Sequence, residues 1–200
     1  MKHLYLLSLI IISLSTSANS AKSEEFDSWA VNLKYFGLTY HPGGGSSGSS
    51  AYPLQIDKEG YFVLQIGAET DLDYYLNEHF LIRTTAAAFK DCAMLWSGHF
   101  HLGFRGNYSM DNGLSFRFGV GPTLIWRENW YKEPLVNDWY NGDGFYGREK
   151  HNRKFQTAFI WYGGNFEVDY KINQDMAVVY SLIPGYPQVF TSSFGLRTTF

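Results

Sequence analysis

From residue 29 onward the chain alternates apolar and polar side chains with a period of two, as strands do when their two faces meet different surroundings. Trp29, Val31, Leu33 and Tyr35 fall on one side of the first run, and Ala30, Asn32 and Lys34 on the other. The fourth run is the sharpest. Trp96, Phe100, Leu102, Phe104 and Tyr108 share one face, and Ser97, His99, His101, Gly103, Arg105 and Asn107 share the opposite one. The pattern predicts strands over about 29–41, 61–75, 79–89 and 96–108, with a fifth reaching about 127 and a sixth over about 155–171. A seventh runs to Ile183, and an eighth ends on Phe200.

The connections alternate as well. Asn77-Glu78, Asp111-Asn112-Gly113 and Asn173-Gln174-Asp175 are short turns after strands two, four and six. The Gly/Ser run 43–50 between Pro42 and Pro53, the stretch 130–153 and Pro184-Gly185-Tyr186-Pro187 are long or rich in Gly and Pro, and follow strands one, five and seven. Gly163-Gly164 marks an expected bulge or bend in the sixth strand. An even number of strands with apolar side chains outward predicts an all-β fold, an eight-stranded antiparallel transmembrane β-barrel of the bacterial outer membrane. In such barrels the short turns are periplasmic and the long loops lie outside. A soluble lipocalin-like barrel would alternate in the opposite sense, with its apolar side chains inward.

Composition sharpens this picture in three places. Aromatic residues make up 18% of the chain and mean hydropathy is slightly negative, which suits a barrel with aromatic girdles and a polar lumen. A net charge of −3 gives no basic surface for nucleic acid. Met1-Lys2-His3, the apolar run 4–14 and the small residues 17–21 read as a signal peptide over 1–21, leaving 22–200 as a single barrel domain. No later apolar run has the length of a membrane-spanning helix, so a crossing must be made by strands. With one cysteine, Cys92, there is no internal disulfide framework.

If both termini are periplasmic, the upper ends of strands one, three, five and seven gather around one outer rim. Those ends carry His41, Asp91-Cys92, Arg127-Glu128-Asn129-Trp130 and Pro184-Gly185. An imidazole, a carboxylate and a thiol together are the parts of an acyl-transfer site, with the imidazole as base. Taken singly, a cysteine at a strand end is more often a packing residue and a histidine near a loop is more often solvated. His99 and His101 share the lumen face but have no third metal ligand in reach of the pattern, and lumen hydrogen bonding is the expectation for them. Arg148, Lys150, His151, Arg153 and Lys154 form a basic cluster suited to lipid phosphates or, equally, to a solvated loop.

Four stretches, in order, resemble the outer-membrane lipid A palmitoyltransferase family. Leu38-Thr39-Tyr40-His41 is similar to the segment ending in that family's essential histidine. Ala88-Phe89-Lys90-Asp91-Cys92 resembles its Ala-Phe-Lys-Asp-Ser. Arg127-Glu128-Asn129-Trp130 resembles its Arg-Asp-Asn-Trp, and Ile183-Pro184-Gly185 matches its Ile-Pro-Gly before the last strand. The likeness spans about residues 38–200. Three features depart from the family: Cys92 stands where it has serine, 22–28 is too short for its N-terminal amphipathic helix, and 130–153 follows its own course.

The resemblance implies transfer of a fatty acyl chain from a glycerophospholipid donor to a lipid A acceptor by a monomer that needs no cofactor or metal. His41 would be the base, and Asp91 would orient it. Cys92 would be either a nucleophile forming a thioester or a hydrogen-bonding polariser. Arg127 would contact the substrate headgroup or hold the loops in place, Asn129 would meet the substrate, Pro184 would help open a lateral gate, and Gly103 would floor the acyl pocket. The other reading of Gly103 is relief of crowding in a narrow barrel. The competing functions are a non-enzymatic barrel for adhesion or envelope structure, and a lipid A deacylase or phospholipase.

Overall fold

A computed structural model describes residues 28–42, 52–132, 154–185 and 189–200. The signal-peptide reading of 1–21, the Gly/Ser loop 43–50 and most of the 130–153 loop, with the basic residues before Lys154, lie outside them.

Eight strands follow in chain order: β1 (Trp29–Tyr40), β2 (Phe62–Asn77), β3 (Phe80–Lys90), β4 (Trp96–Ser109), β5 (Leu114–Glu128), β6 (Phe155–Lys171), β7 (Met176–Gly185) and β8 (Val189–Thr199). Each pairs antiparallel with the next, and β8 returns to β1, so the sheet closes on itself. Closure leaves no strand edge at the ends of the sequence of pairs. The seventh strand continues two residues past the expected stop at Ile183, because the backbone at Pro184 and Gly185 stays in register with Phe190 and Val189. At the bottom of the barrel Gly113 takes a left-handed φ of 87° in the β4–β5 turn, as its missing Cβ permits.

Alternation runs in the outward-apolar sense. Leu33, Phe100, Phe104, Phe118, Val120, Phe166 and Phe194 are exposed on the exterior, while Lys34, Glu69, Asp71, Asp73, Arg83, Arg105, Glu167 and Arg197 are buried inside. The register lines up inward side chains across β3–β6 in rows. Nearest the rim stand Phe89, Ser97, Arg127 and Gln156; below them come Ala87, His99, Ile125 and Ala158, and then Thr85, His101, Thr123 and Ile160. A bare step follows, where Gly103 pairs with Arg83 and Gly121 pairs with Gly163. Beneath it Arg105, Gly119 and Asn165 share a row. The upper lumen therefore mixes apolar side chains (Phe89, Ala87, Ile125, Ala158, Ile160) with polar ones (Ser97, Gln156, His99, Thr85, His101, Thr123), and the lower lumen is charged.

The lower lumen holds a bonded network. Lys34 pairs with Glu69 (2.5 Å), Asp71 (2.7 Å) and Glu167 (3.4 Å). Arg83 makes a two-pronged contact to Asp73 through Nε and Nη2, and also donates to both oxygens of Glu167. Arg197 donates to Asn32, Tyr75, Asp73 and Glu167, and Arg117 pairs with Asp169. These groups come from strands on all sides, so they brace the wall across its diameter.

Two irregularities shape the upper wall. In β5–β6 the register shifts between Gly121 and Thr123, where Pro122 has no N–H to give and Trp161-Tyr162 bulge opposite it. This bulge sits just ahead of the expected Gly163-Gly164 bend. The β6–β7 ladder runs only from Lys171↔Ala177 to Phe166↔Leu182. Above it, among the described residues, Phe155–Asn165 of β6 pair with β5 alone, and Ile183, Pro184 and Gly185 pair with β8 alone. The barrel wall is thus parted on its outer side between β6 and β7.

Candidate functional site

The outer ends of β1, β3 and β5 do meet. His41 follows β1 directly, and its backbone N–H donates to the carbonyl of Tyr61 (2.7 Å), which holds it at the rim. Its ring is half-buried against Tyr52, with ring centroids 5.1 Å apart. Its Nε2 is buried with no hydrogen-bond partner among the described residues. Burial pushes the imidazole below its ordinary pKa, so it is neutral at pH 7 and available as a base.

Asp91 opens the β3–β4 connection, where Met94 takes a left-handed φ of 60°. Its Oδ1 accepts from the backbone N–H groups of Ala93 (3.0 Å) and Leu95 (2.9 Å). Its Oδ2 accepts from Ser97 Oγ (3.0 Å) and from the indole Nε1 of Trp130 (2.8 Å). Both oxygens are thereby committed to tying the β3–β4 loop to the turn at Trp130–Lys132. Burial raises its pKa, and the bonds from Trp130, Leu95, Ser97 and Ala93 oppose that rise. No bond between Asp91 and His41 is present among the described residues, so the orienting role expected of Asp91 has no contact behind it.

Cys92 is 5% exposed and packs with Val63, Ala93 and Trp130, with Tyr52, Leu95 and Tyr131 around them. Burial, followed by the neighbouring Asp91 carboxylate, pushes the thiol well above its usual pKa, and Arg127 offsets only part of this. A thiol in that setting stays protonated. In the folded barrel a maleimide or iodoacetamide should modify Cys92 at least about tenfold more slowly than in the denatured chain, read by intact mass. Equal rates would mean that the cluster opens readily.

Arg127 donates from Nε to Gln156 Oε1 (2.9 Å), and its guanidinium lies 4.4 Å from the centre of the Trp130 ring. Asn129 accepts from the N–H of Tyr131 (3.1 Å) and so caps the Trp130–Lys132 turn. These two residues hold the loop base. His41, Tyr52, Cys92, Trp130 and Arg127 form one contact chain around the rim, with Asp91 knotted beneath it.

Gly103 lies deeper, at the bare step of the wall, with the His101 ring over it. A Cβ there would come within 2.2 Å of His101 Nε2. His101 Nδ1 is 2.8 Å from Thr123 Oγ1, the lumen hydrogen bonding expected of it, and His99 Nε2 is 3.9 Å from Glu69. Pro184 stands near the top of β7, on the parted side of the wall. Tyr52, which lacks any pattern or motif around it, escapes a reading of the sequence, as do the partners Gln156 and Ser97 that fix Arg127 and Asp91.

A closed antiparallel barrel of eight strands, apolar outside and charged within, defines the class: this is an outer-membrane β-barrel protein, and the bacterial outer membrane is its location. No protein-family model matches the chain, and no curated protein matches it. Among solved structures it is similar to the N-terminal β-barrel domain of OprF from Pseudomonas aeruginosa, with a TM-score of 0.50 and 12% identity over 86% of this chain and 97% of that one. It is also similar to Ail from Yersinia pestis (TM-score 0.44, 7% identity, 86% and 95% covered) and to the Neisserial surface protein A (0.43, 8%, 88% and 98%). At such identities the likeness to OprF establishes a shared fold and says nothing of chemistry.

Proposed function

We propose that the barrel is an outer-leaflet acyltransferase that moves a fatty acyl chain from a glycerophospholipid to lipid A. The observation that carries this reading is the parted β6–β7 wall. A lipid cannot enter a fully laddered barrel sideways, and here the ladder stops at Phe166↔Leu182 while both strands continue outward. The upper lumen behind the gap offers an acyl chain Ala87, Phe89, Ile125, Ala158, Ile160 and Ile183, with His99, His101, Thr85 and Thr123 in the same rows.

His41 supplies the base. Its Nε2 takes the proton from an acceptor hydroxyl as that oxygen attacks the ester carbonyl of the donor. The resulting tetrahedral adduct collapses by breaking the bond to the glycerol oxygen, which recovers the proton from the imidazolium and leaves as lysophospholipid. The hydroxyl attacks directly, because the Cys92 thiol is sealed and protonated; Cys92 lines the wall and Arg127 positions the Trp130 turn. Gly103 is the lower limit of the chain pocket.

The test is mass spectrometry of lipid A from a strain without its own palmitoyltransferase, expressing this protein or His41→Ala at matched outer-membrane levels. A new acyl chain is expected with the parent, and at least about a hundredfold less with the variant, the usual scale of a lost general base. In vitro, the rate should stay flat through neutral pH and fall only below the ordinary histidine range, since burial lowers the His41 pKa. Unmodified lipid A with a folded barrel overturns the reading, and lysophospholipid without modified lipid A turns it into hydrolysis.

A second reading, a non-enzymatic envelope barrel, is favoured by a specific observation: Asp91 is fully bonded and Cys92 fully packed, as structural residues are. It predicts no lipid product with either chain.

A further inference from the structure

A general base has to be aimed, and among the described residues no polar side chain aims His41. Its Nε2 is buried without a hydrogen bond, and Asp91 gives both of its oxygens to other donors. What the imidazole does have is the ring of Tyr52, with 5.1 Å between centroids and 31° between planes. That is an ordinary aromatic contact distance, and it leaves the two faces only partly free to turn.

Tyr52 is itself held by a clip hung from the start of β2. The Leu64 N–H donates to Leu54 O (3.0 Å), the Ile56 N–H donates to Phe62 O (2.8 Å), and Gln55 bridges to Val63 between them. The Gln55 N–H also donates to Tyr52 O (3.2 Å). Asp57 closes the far end of the clip. Its two carboxylate oxygens accept the N–H groups of Tyr61 (2.9 Å) and Phe62 (2.7 Å), and Gly60 turns the chain with a left-handed φ of 71°. The stretch Tyr61 to Leu64 thus carries the His41 backbone on one side and the Tyr52 arm on the other.

On its other flank Tyr52 packs against the cluster of Val63, Cys92, Ala93 and Trp130. Burial, and behind it Cys92 and Asp91, push the phenol well above its ordinary pKa, so it stays neutral beside the imidazole. These two groups act on Tyr52, whereas burial is the cause that lowers His41.

We propose that Tyr52 is the positioning residue of His41: its ring, seated between the Cys92–Trp130 cluster and the imidazole, fixes the plane of the base and keeps water from it. Asp91 then supports the base without touching it, because it bonds Trp130, and Trp130 belongs to the cluster on which Tyr52 rests. The catalytic meaning rests on the acyl-transfer reading, but the positioning is measurable with no substrate present.

The test uses the full chain folded in lipid nanodiscs with 13C-labelled histidine, the His41 signal being the one that His41→Ala removes. In the parent, the His41 ring protons should show a direct contact to the Tyr52 ring, and the imidazole should titrate below the ordinary value of about 6.5. Tyr52→Ala should bring that pKa up toward about 6.5, and Tyr52→Phe should hold it at the parent value. In the transfer assay Tyr52→Ala should lower kcat at least about tenfold with KM changed by less than about twofold, and Tyr52→Phe should restore it. The acid fall of the rate should move to higher pH in Tyr52→Ala by the same shift as the titration. A Tyr52 that only fills space would cost stability and leave the His41 titration where it is. A folded Tyr52→Ala barrel with the parent's His41 pKa overturns the proposal, as does a parent in which the two rings show no contact; the latter decides alone if Tyr52→Ala does not fold. If no chain yields a lipid product, the acyl-transfer reading falls, and the His41 titration still judges the positioning.

Discussion

Arg83→Met should lower the stability of the barrel by about 3–5 kcal/mol, the range found when one partner of a buried charge pair is removed. Arg83 is fully buried and bonds both oxygens of Asp73 (2.5 and 2.7 Å) and both of Glu167 (2.6 and 2.9 Å). It also lies 3.2 Å from Asp71. Methionine matches the length of the stem but leaves three carboxylates with Lys34, Arg197 and, at 3.6 Å from Glu167, Arg117 to share. The loss belongs to the stranded anions and not to the missing cation alone. Adding Asp73→Asn and Glu167→Gln to Arg83→Met should therefore recover most of the stability, a coupling that a simple packing defect would not show. Urea unfolding in lipid vesicles measures both. A single variant as stable as the parent would mean that water reaches the network and solvates it.

The second large effect is expected at Asp91→Asn. The carboxylate accepts from four donors, two on each oxygen. An amide must turn its NH2 toward one of these pairs. It then faces either the backbone N–H groups of Ala93 and Leu95 or the indole N–H of Trp130, and donor meets donor. Leaving buried donors unsatisfied costs about 1–3 kcal/mol, concentrated in the β3–β4 loop. Amide exchange at Ala93 and Leu95 should quicken, and the near-ultraviolet signal of Trp130 should weaken, with the barrel intact. If Asp91 serves chemistry instead, the variant will keep a protected loop and lose only lipid product. The two measurements together assign the residue.

Much of this architecture is legible in residue order because a barrel wall has only two environments. Val120 against Gly119, or Phe166 against Glu167, is enough to say which side chain meets lipid, and the strand limits follow wherever that alternation ends. The rim cluster is legible for the same reason: once strands are counted, the ends carrying His41, Asp91 and Arg127 must lie at one side. What the sequence does not carry is partnership across the lumen. Lys34 and Glu167 are 133 residues apart, and Arg197 reaches Tyr75 across 122. No local pattern says that Arg105 will be left over while Arg83 is shared. A period-two count of charged inward positions, with Glu69, Asp71 and Asp73 on one strand and Arg83, Arg105, Arg117 and Arg197 on others, would have announced a network without naming its bonds. The loop chemistry was hidden in another way. Asp91 beside Cys92 reads as a reactive pair, and only the donors converging from Trp130, Ser97 and the loop backbone reveal a knot.

Electrically, the barrel is shut. An ion crossing it would have to part Lys34, Arg83 and Arg197 from Asp73, Glu69 and Glu167, whose side chains are sealed from solvent and hold one another from strands on opposite walls. Among the described residues, that network is what an ion on the barrel axis would meet.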